Sequence, residues 1–283
     1  MITSPSEGEV RAFVREVAAE RFKPEGLLDQ LAARPNLIRV LSVVLFLTLW
    51  EIVAAGIDPI LFAGPIAIAK SFYRLTASGE LPREMGVSLG IFLIGLTLAT
   101  VVGISVGLAM GRHRMVEYVI DPYINALYAT PRIALIPLLI LWLGLDAEMK
   151  IFVVFLVGFF PICINTAQGV KNVSGHYVEV ARAYGATERQ IFTKVIVPSA
   201  IPFIMTGFRL GVGRSLVGMV VAELLGTLSG MGAMIDKYSS EFETDSLFVP
   251  IIMLAFLGIT VTEAVKRLEI RFSRWKETEG AQE

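Results

Sequence analysis

A run of 27 residues without a charged side chain, Met85–Gly111, constrains the fold of this chain more than any other feature. A helix needs about 20 apolar residues to cross the hydrocarbon core of a bilayer, so this run is long enough to span one. Hydrophobic residues make up 54% of the 283 residues and charged residues only 18%. Soluble domains usually carry about 25% charged residues. The sequence therefore excludes a water-soluble globule and predicts a membrane protein.

Hydropathy predicts six membrane spans in all. The other five are Leu37–Ile57, Glu117–Leu145, Ile151–Val170, Val195–Leu225 and Ser246–Thr262. The third span is interrupted by Pro131, Arg132 and Pro137, which predicts a broken helix there. We thus expect an all-α polytopic membrane protein with six transmembrane helices. Residues 37–265 would form the membrane domain, with a cytoplasmic segment at 1–36 and a cytoplasmic tail at 266–283.

The distribution of Lys and Arg predicts the orientation of these spans. Of the 25 basic residues, 17 fall on the side of the termini, five fall on the other side and three lie within spans. Cytoplasmic loops carry the excess of positive charge in membrane proteins. Both termini are therefore expected in the cytoplasm.

The segment before the first span has its own pattern. Val10, Phe13, Val14 and Val17 follow helical spacing, which predicts an amphipathic helix over residues 7–22. Such a helix either lies on the inner membrane face or grips a partner, or it packs on the cytoplasmic side of its own chain.

The loop between spans four and five, residues 172–198, has stronger local signals than a simple connector. Gly185 is a natural helix stop, because glycine readily takes the left-handed conformation. Thr187 and Gln190 then have the spacing of a capping box, which starts a new helix. The sequence predicts a helix, a sharp turn at Gly185 and a second helix that enters the membrane.

The same loop carries a family signature. The spacing Glu179-x-Ala181-x3-Gly185, followed by Val195, Val197 and Pro198, resembles the EAA loop of type I ABC importer permeases. Valines at 180, 195 and 197 are conservative departures from it. Further motifs resemble the nitrate/sulfonate/taurine permease group: Leu49-Trp50-Glu51, Ser88-Leu89, Asp121-Pro122, Pro131-Arg132, Leu141-Trp142, Gly207-x-Arg209-Leu210 and Ala222-Glu223-Leu224.

This resemblance implies a mechanism and a set of partners. The elbow would be the coupling helix that docks on a cytosolic ABC ATPase, through Glu179, Ala181, Ala183, Gly185 and Ala186. A second permease copy, giving a homodimer, and a periplasmic or lipid-anchored substrate-binding protein would complete the importer in the bacterial inner membrane. Lipid is an expected partner and nucleic acid is not. The expected cargo is a small anionic solute, such as a sulfonate, nitrate, bicarbonate or a related compound.

The chain itself lacks the GxxxxGK[ST] motif of P-loop ATPases. We therefore expect a permease subunit that is not itself an enzyme and binds no cofactor, with ATP and Mg²⁺ bound by the partner ATPase. His113, His176 and Cys163 form no set with metal or nucleophile spacing, so neither a metal site nor a catalytic residue is expected.

Four charged residues inside the spans are candidates for a functional or structural role: Arg132, Arg209, Arg214 and Glu223. Charges in a membrane are costly and usually serve function or pair with one another. Arg132 and Arg209 are candidates for an anion site on the translocation pathway, with structural pairing as the alternative. Glu223 is a candidate structural partner or outer-gate residue.

An ion-coupled secondary transporter is the alternative function. Such proteins also have proline-broken helices and charges within their spans. Glu223 would be the only acidic residue in a span interior, and the capped elbow has no use in that mechanism.

Overall fold

The computed structural model describes Gly8, residues 35–225 and residues 228–273 of the chain. Within these residues there are ten helices and no strand. The helices are α1 (Pro35–Ala55), α2 (Pro65–Ala77), α3 (Glu80–Arg112), α4 (Arg114–Ala129), α5 (Ile136–Leu143), α6 (Ala147–Lys171), α7 (Gly175–Ala183), α8 (Glu188–Leu224), α9 (Met231–Ser240) and α10 (Thr244–Ser273). The all-α prediction is confirmed, whereas the predicted helix at 7–22 lies outside the described residues apart from Gly8.

Five of the described helices are long and apolar enough to cross a membrane: α1, α3, α6, α8 and α10. The bent pair α4 and α5 makes a sixth span if it is counted as one. The chain divides into two compact units, residues 1–58 and residues 59–283. In the first unit, α1 has the length and hydropathy of a single membrane span.

In the second unit, α6 is the central helix and packs against both α3 and α8. Val154, Ile162 and Cys163 of α6 are fully buried. Such burial explains why α6 is apolar along its whole middle rather than on one face only.

The contact between α3 and α6 depends on glycines spaced four apart in α3, Gly103, Gly107 and Gly111. A Cβ atom added at Gly107 would lie 2.6 Å from the carbonyl oxygen of Cys163 and 2.6 Å from the Cβ of Thr166. One added at Gly111 would lie 2.5 Å from the Cβ of Val170. Glycine therefore lets the two backbones approach closely, which is how helices associate in membranes.

The other side of α6 meets α8 in the same way. An added Cβ at Gly207 would lie 2.9 Å from the carbonyl oxygen of Pro161, and one at Gly211 would lie 2.8 Å from Cγ1 of Ile162. The glycine spacings in both spans are thus packing features within one chain.

We expect Gly107→Ala to destabilise the protein, because its methyl group has no space against α6. Overpacking of this kind costs about 1–3 kcal/mol. Gly90→Ala is the matched control, because Gly90 is in the same helix and an added Cβ there meets no atom within 4 Å. Thermal unfolding of the two purified variants in detergent measures the difference. Equal unfolding temperatures would show that the close approach at Gly107 does not contribute to stability.

The third predicted span, Glu117–Leu145, is broken where its prolines stand. The axes of α4 and of the segment Arg132–Leu143 differ by 91°. Thr130, the residue before Pro131, is extended with ψ of 134°, as expected because proline disfavours helix in the residue that precedes it. A 3₁₀ turn, Arg132–Leu135, follows and leads into α5.

The last helix extends further than the sequence predicts. α10 continues without a break from Thr244 to Ser273, through the predicted boundary between the membrane domain and the tail at 265/266. Its start is tied to α2, where Ser71 Oγ donates a hydrogen bond to Asp245 Oδ2 at 2.5 Å. Arg74 of α2 also contacts Ser246 Oγ at 2.6 Å. These bonds hold α2, which lies between the first two predicted spans, against the first turn of α10.

Candidate functional site: the elbow and the intramembrane charges

The elbow between α7 and α8 has the geometry that its sequence predicts. Gly185 has φ of +75°, in the left-handed region. The amide of Ala186 donates to the carbonyl oxygen of Ala181 at 3.1 Å, and the amide of Gly185 donates to that of Arg182 at 2.9 Å. These two bonds form a Schellman motif, which satisfies the last carbonyl groups of α7 and fixes the angle of the turn.

A capping box then starts α8, as predicted. The amide of Gln190 donates to Thr187 Oγ1 at 3.4 Å, and the amide of Thr187 donates to Gln190 Oε1 at 2.8 Å. An exposed ion pair between Arg182 and Glu188, at 2.9 Å, also joins the two helices across the turn. The elbow is thus fixed by local backbone and capping bonds rather than by a core.

The predicted coupling residues lie in the second half of α7 and in the turn that follows it. Glu179, Ala183 and Gly185 are exposed, whereas Ala181 and Ala186 are half-buried. α7 has no buried residue. Between Ala183 and Gly185 lies Tyr184, whose exposed fraction of 89% makes it the most prominent side chain of the turn.

The path of α8 into the membrane domain includes a π-helical stretch, Phe192–Ile196. The amide of Val197 donates to the carbonyl oxygen of Phe192, five residues back. Pro198 follows directly and has no amide to donate to Lys194. A wider turn ahead of the proline keeps the helix continuous, so α8 links the elbow to the membrane interior.

Two of the intramembrane arginines, Arg132 and Arg214, meet at one tyrosine. The guanidinium carbon of Arg132 lies 4.9 Å from the centroid of the Tyr128 ring, and that of Arg214 lies 5.3 Å from it. Arg214 Nη1 donates to the Tyr128 hydroxyl at 2.8 Å, and Arg132 Nη2 donates to the Tyr128 carbonyl oxygen at 3.2 Å. Both arginines line one cavity of about 450 Å³, and all of its lining residues lie between positions 128 and 218 of the chain.

Arg209 has a different environment. Its Nη1 forms an ion pair with Glu269 Oε2 of α10 at 2.9 Å. A neighbouring carboxylate offsets the charge of this guanidinium, and the helix pair α8–α10 gains a polar contact.

Glu223 belongs to a fully buried polar cluster near the end of α8. Its carboxylate accepts hydrogen bonds from Ser88 Oγ at 2.8 Å and from the amide of Gly232 at 2.9 Å. Ser88 Oγ also accepts from the amide of Met231 at 2.8 Å. Glu223 thereby connects α8 with α3 and with the first turn of α9.

Two further charged residues hold the segment just before α9. Glu84 Oε2 accepts from the amide of Gly230 at 2.6 Å. Lys150 is 2% exposed and donates to the carbonyl oxygen and the hydroxyl of Ser229, at 2.8 and 3.0 Å. Buried polar groups that are fully bonded in this way make a local structure rigid.

α9 is also tied to the start of α3 by an ionic contact. Lys237 Nζ lies 2.9 Å from Glu80 Oε1, and this hydrogen bond raises the pKa of Lys237. Burial of the Tyr238 phenol raises its pKa, and its hydroxyl donates to Glu80 Oε2 at 3.0 Å. In the part of the chain that the structure describes, no group of three or more His, Cys, Asp or Glu side chains is placed to hold a metal ion.

Solved ABC transporters share this fold. A chain of the MetNI methionine ABC transporter, in an inward-facing conformation, aligns with a TM-score of 0.58 at 17% identity over 66% of this chain and 93% of that one. A chain of an amino acid ABC transporter, solved with histidines, aligns with a TM-score of 0.53 at 19% identity over 71% of this chain and 97% of that one. At these identities the likeness shows the fold alone.

Sequence comparison shows the family. Residues 99–274 match the family described as the binding-protein-dependent transport system inner membrane component. The chain belongs to this family. The resemblance read from its motifs is thereby confirmed, and the alternative of an ion-coupled secondary transporter is set aside.

The relatives of this permease carry related names. The putative aliphatic sulfonates transport permease protein SsuC of Bacillus subtilis is 33% identical over 232 residues, which cover 81% of this chain and 84% of that protein. The formylaminopyrimidine transport permease protein ThiX of Halalkalibacterium halodurans is 35% identical, over 82% and 93% of the two chains. The taurine transport system permease protein TauC of Escherichia coli is 29% identical, over 83% and 88%. The chain is therefore a membrane permease subunit of an ATP-driven ABC importer and not its ATPase.

The structure separates the residues that the sequence assigns to the pathway of the permease. Arg132 lies with Arg214, Arg209 lies with Glu269, and Glu223 lies in the buried cluster. The sequence singles out Arg214 only as an intramembrane charge, because nothing in its spacing indicates that it meets Arg132. Tyr128 is missed as well, because it belongs to α4 whereas Arg132 follows the break at Pro131, so no regular helical spacing relates the two.

Proposed function

We propose that this permease forms the translocation pathway for a small anionic solute and is coupled to its ATPase through the α7–α8 elbow. The geometry of the elbow is the main support for its coupling to an ATPase. A nine-residue helix without a buried side chain has little stability of its own, because isolated helices that short are marginal in water. Its capping bonds hold it in shape for an external partner.

The partner that this elbow fits is a cytosolic ABC ATPase. The Schellman motif at Gly185 and the capping box at Thr187 fix the direction of α7 relative to α8. Because α8 is continuous from Glu188 to Leu224, a displacement of the elbow is carried into the membrane interior. ATP and Mg²⁺ bind to the ATPase, whose closure around ATP moves the elbow. A second copy of the permease and a substrate-binding protein complete the importer in the inner membrane.

The names of relatives support an anionic solute. The names of two relatives mention aliphatic sulfonates and taurine, both of which carry a sulfonate group, although the name of a third mentions formylaminopyrimidine. Arg132 and Arg214, which have no carboxylate partner among the described residues, favour the same class of cargo.

Purification tests this function directly. The permease, tagged and expressed with its ATPase, is expected to retain the ATPase in detergent, and the complex in proteoliposomes is expected to hydrolyse ATP faster when its loaded binding protein is added. A permease that purifies in folded form and never retains an ATPase would contradict the proposal.

Orientation gives an independent prediction. With both termini in the cytoplasm, Ser78, which is exposed at the end of α2, faces outward and Tyr184 faces inward. A membrane-impermeant maleimide is expected to label Ser78→Cys in intact spheroplasts and Tyr184→Cys only after permeabilisation. The native Cys163 is fully buried and contributes little background. The reverse labelling pattern would overturn the orientation.

A further inference from the structure

We propose that Arg132, Arg214 and Tyr128 together form a binding site for the oxyanion group of a small organic anion. This site rests on the proposed transport of an anionic solute and names the residues that would contact it. It differs from the prediction made from the sequence, which paired Arg132 with Arg209.

Within the described residues, no carboxylate forms an ion pair with either arginine. Across the described residues, neither Arg132 nor Arg214 lies within ion-pair distance of an acidic side chain, whereas Arg209 is paired with Glu269. Two like charges that share one ring repel each other. An anion between them removes that repulsion.

Arg132 also has a nitrogen that could donate to a ligand. Its Nη1 is buried and makes no hydrogen bond within the described residues. Its Nη2 is used by the Tyr128 carbonyl oxygen at 3.2 Å. A buried donor without a partner costs free energy, and a rotation of the guanidinium that brings this nitrogen to a ligand oxygen recovers that cost.

Aromatic rings hold Arg132 without neutralising it. Its guanidinium carbon lies 4.9 Å from the centroid of Tyr128 and 5.6 Å from that of Phe160. Cation–π contacts orient the guanidinium plane and leave its net charge available. The Tyr128 hydroxyl accepts from Arg214, and its own proton can serve as a third donor to a bound anion.

The cavity beside these donors sets the size of the ligand. Its volume of about 450 Å³ is in the range of small-molecule sites. Val157, Val217 and Gly218 give it an apolar wall next to the guanidinium groups. Since the guanidinium fork matches planar and tetrahedral oxyanions, the site takes a sulfonate or carboxylate with a short apolar part.

Charge-selective modification of a cysteine tests the site without requiring knowledge of the cargo. Val217 lines the cavity and is 60% exposed, so Val217→Cys places a thiol there, and the native Cys163 is buried. In the detergent-purified complex, the rate of modification is measured with a methanethiosulfonate that bears a sulfonate group and with one that bears a trimethylammonium group. Each rate is divided by the rate at which the same reagent reacts with a small thiol free in solution. The anionic reagent is expected to be favoured by about tenfold or more, because a cationic site concentrates anions.

Neutralising the site should remove this preference. Arg132→Gln and Arg214→Gln are each expected to lower it several-fold, and the double variant to bring it near one. Arg132→Lys keeps the charge and is expected to keep most of the preference, which separates charge from misfolding. Arg209→Gln is the matched control and should leave the preference within twofold, because the cavity residues do not include it.

Competition identifies the kind of anion. Ethanesulfonate is expected to slow the modification of Val217→Cys, and ethyltrimethylammonium at the same concentration is not. A normalised preference near one in the complex without these substitutions would show that the arginines are neutralised there and would overturn the site. Slowing by added phosphatidylglycerol alone would assign the arginines to a lipid headgroup and overturn it as well. Both readouts can be taken on the purified permease with or without its ATPase, and neither measures ATP hydrolysis, so this proposal and the coupling proposal fail separately.

Discussion

Gly185→Val is expected to abolish ATP-driven uptake while leaving the permease inserted in the membrane. Gly185 has φ of +75°, and the left-handed region costs a residue with a Cβ about 1–2 kcal/mol. A β-branched side chain is among the least tolerant of this conformation. The elbow would relax to another backbone angle, and we expect uptake and binding-protein-stimulated ATPase activity to fall by about tenfold or more. Both are measured in proteoliposomes that contain the assembled complex.

Two features of this site make the result easy to interpret. An added Cβ at Gly185 meets no atom within 4 Å, so the effect of valine is one of backbone conformation and not of a steric clash. Gly185→Asn is the matched control, because asparagine tolerates the left-handed region, and it should retain most of the activity. Normal transport by the valine variant would rule out a role for the turn in coupling.

Glu223→Leu is expected to cause the largest loss of stability of any single substitution considered for this permease. Leucine would leave Ser88 Oγ and the amide of Gly232 without their acceptor in a fully buried position. It would also remove the negative charge that acts on the buried Lys150. Each buried group that loses its hydrogen-bond partner costs about 1–3 kcal/mol, and more where the partner is charged. Thermal unfolding in detergent should show a fall of about 10 °C for a chain of this size.

Glu223→Gln separates the hydrogen bonds from the charge, because the amide oxygen of glutamine still accepts one hydrogen bond. The loss of stability in this variant should be smaller than in Glu223→Leu. Glu263→Leu is the surface control. Glu263 and Arg267 form an exposed ion pair at 3.0 Å, with the side chains 50% and 77% exposed, and such pairs contribute little. If Glu223→Leu and Glu263→Leu unfold at the same temperature, the cluster does not hold the end of α8.

The features that depend on local sequence could be predicted from it. The stop at Gly185, the capping box at Thr187 and the break at Pro131 each follow from residues within a few positions of one another. Local hydrogen bonding and sterics decide such features, so no knowledge of the rest of the fold is needed.

The features that depend on contacts between helices could not. Arg214 and Tyr128 are 86 residues apart in the chain, and Ser88 and Glu223 are 135 apart. The sequence shows that a charge in a span needs a partner, but the packing of α3, α6 and α8 decides which partner it meets. For that reason Arg209 and Arg132, which look equivalent in the sequence, differ in the structure.

A photo-crosslink from the tip of the elbow tests the central claim most directly. Tyr184 is replaced by a benzoyl-phenylalanine residue in cells that express the whole transporter, and Ser78 is replaced in a parallel strain as the position on the opposite side. The account predicts an adduct between the permease and the ABC ATPase from position 184 and none from position 78. An assembled complex that gives no ATPase adduct from position 184, or that gives one from position 78, would contradict it.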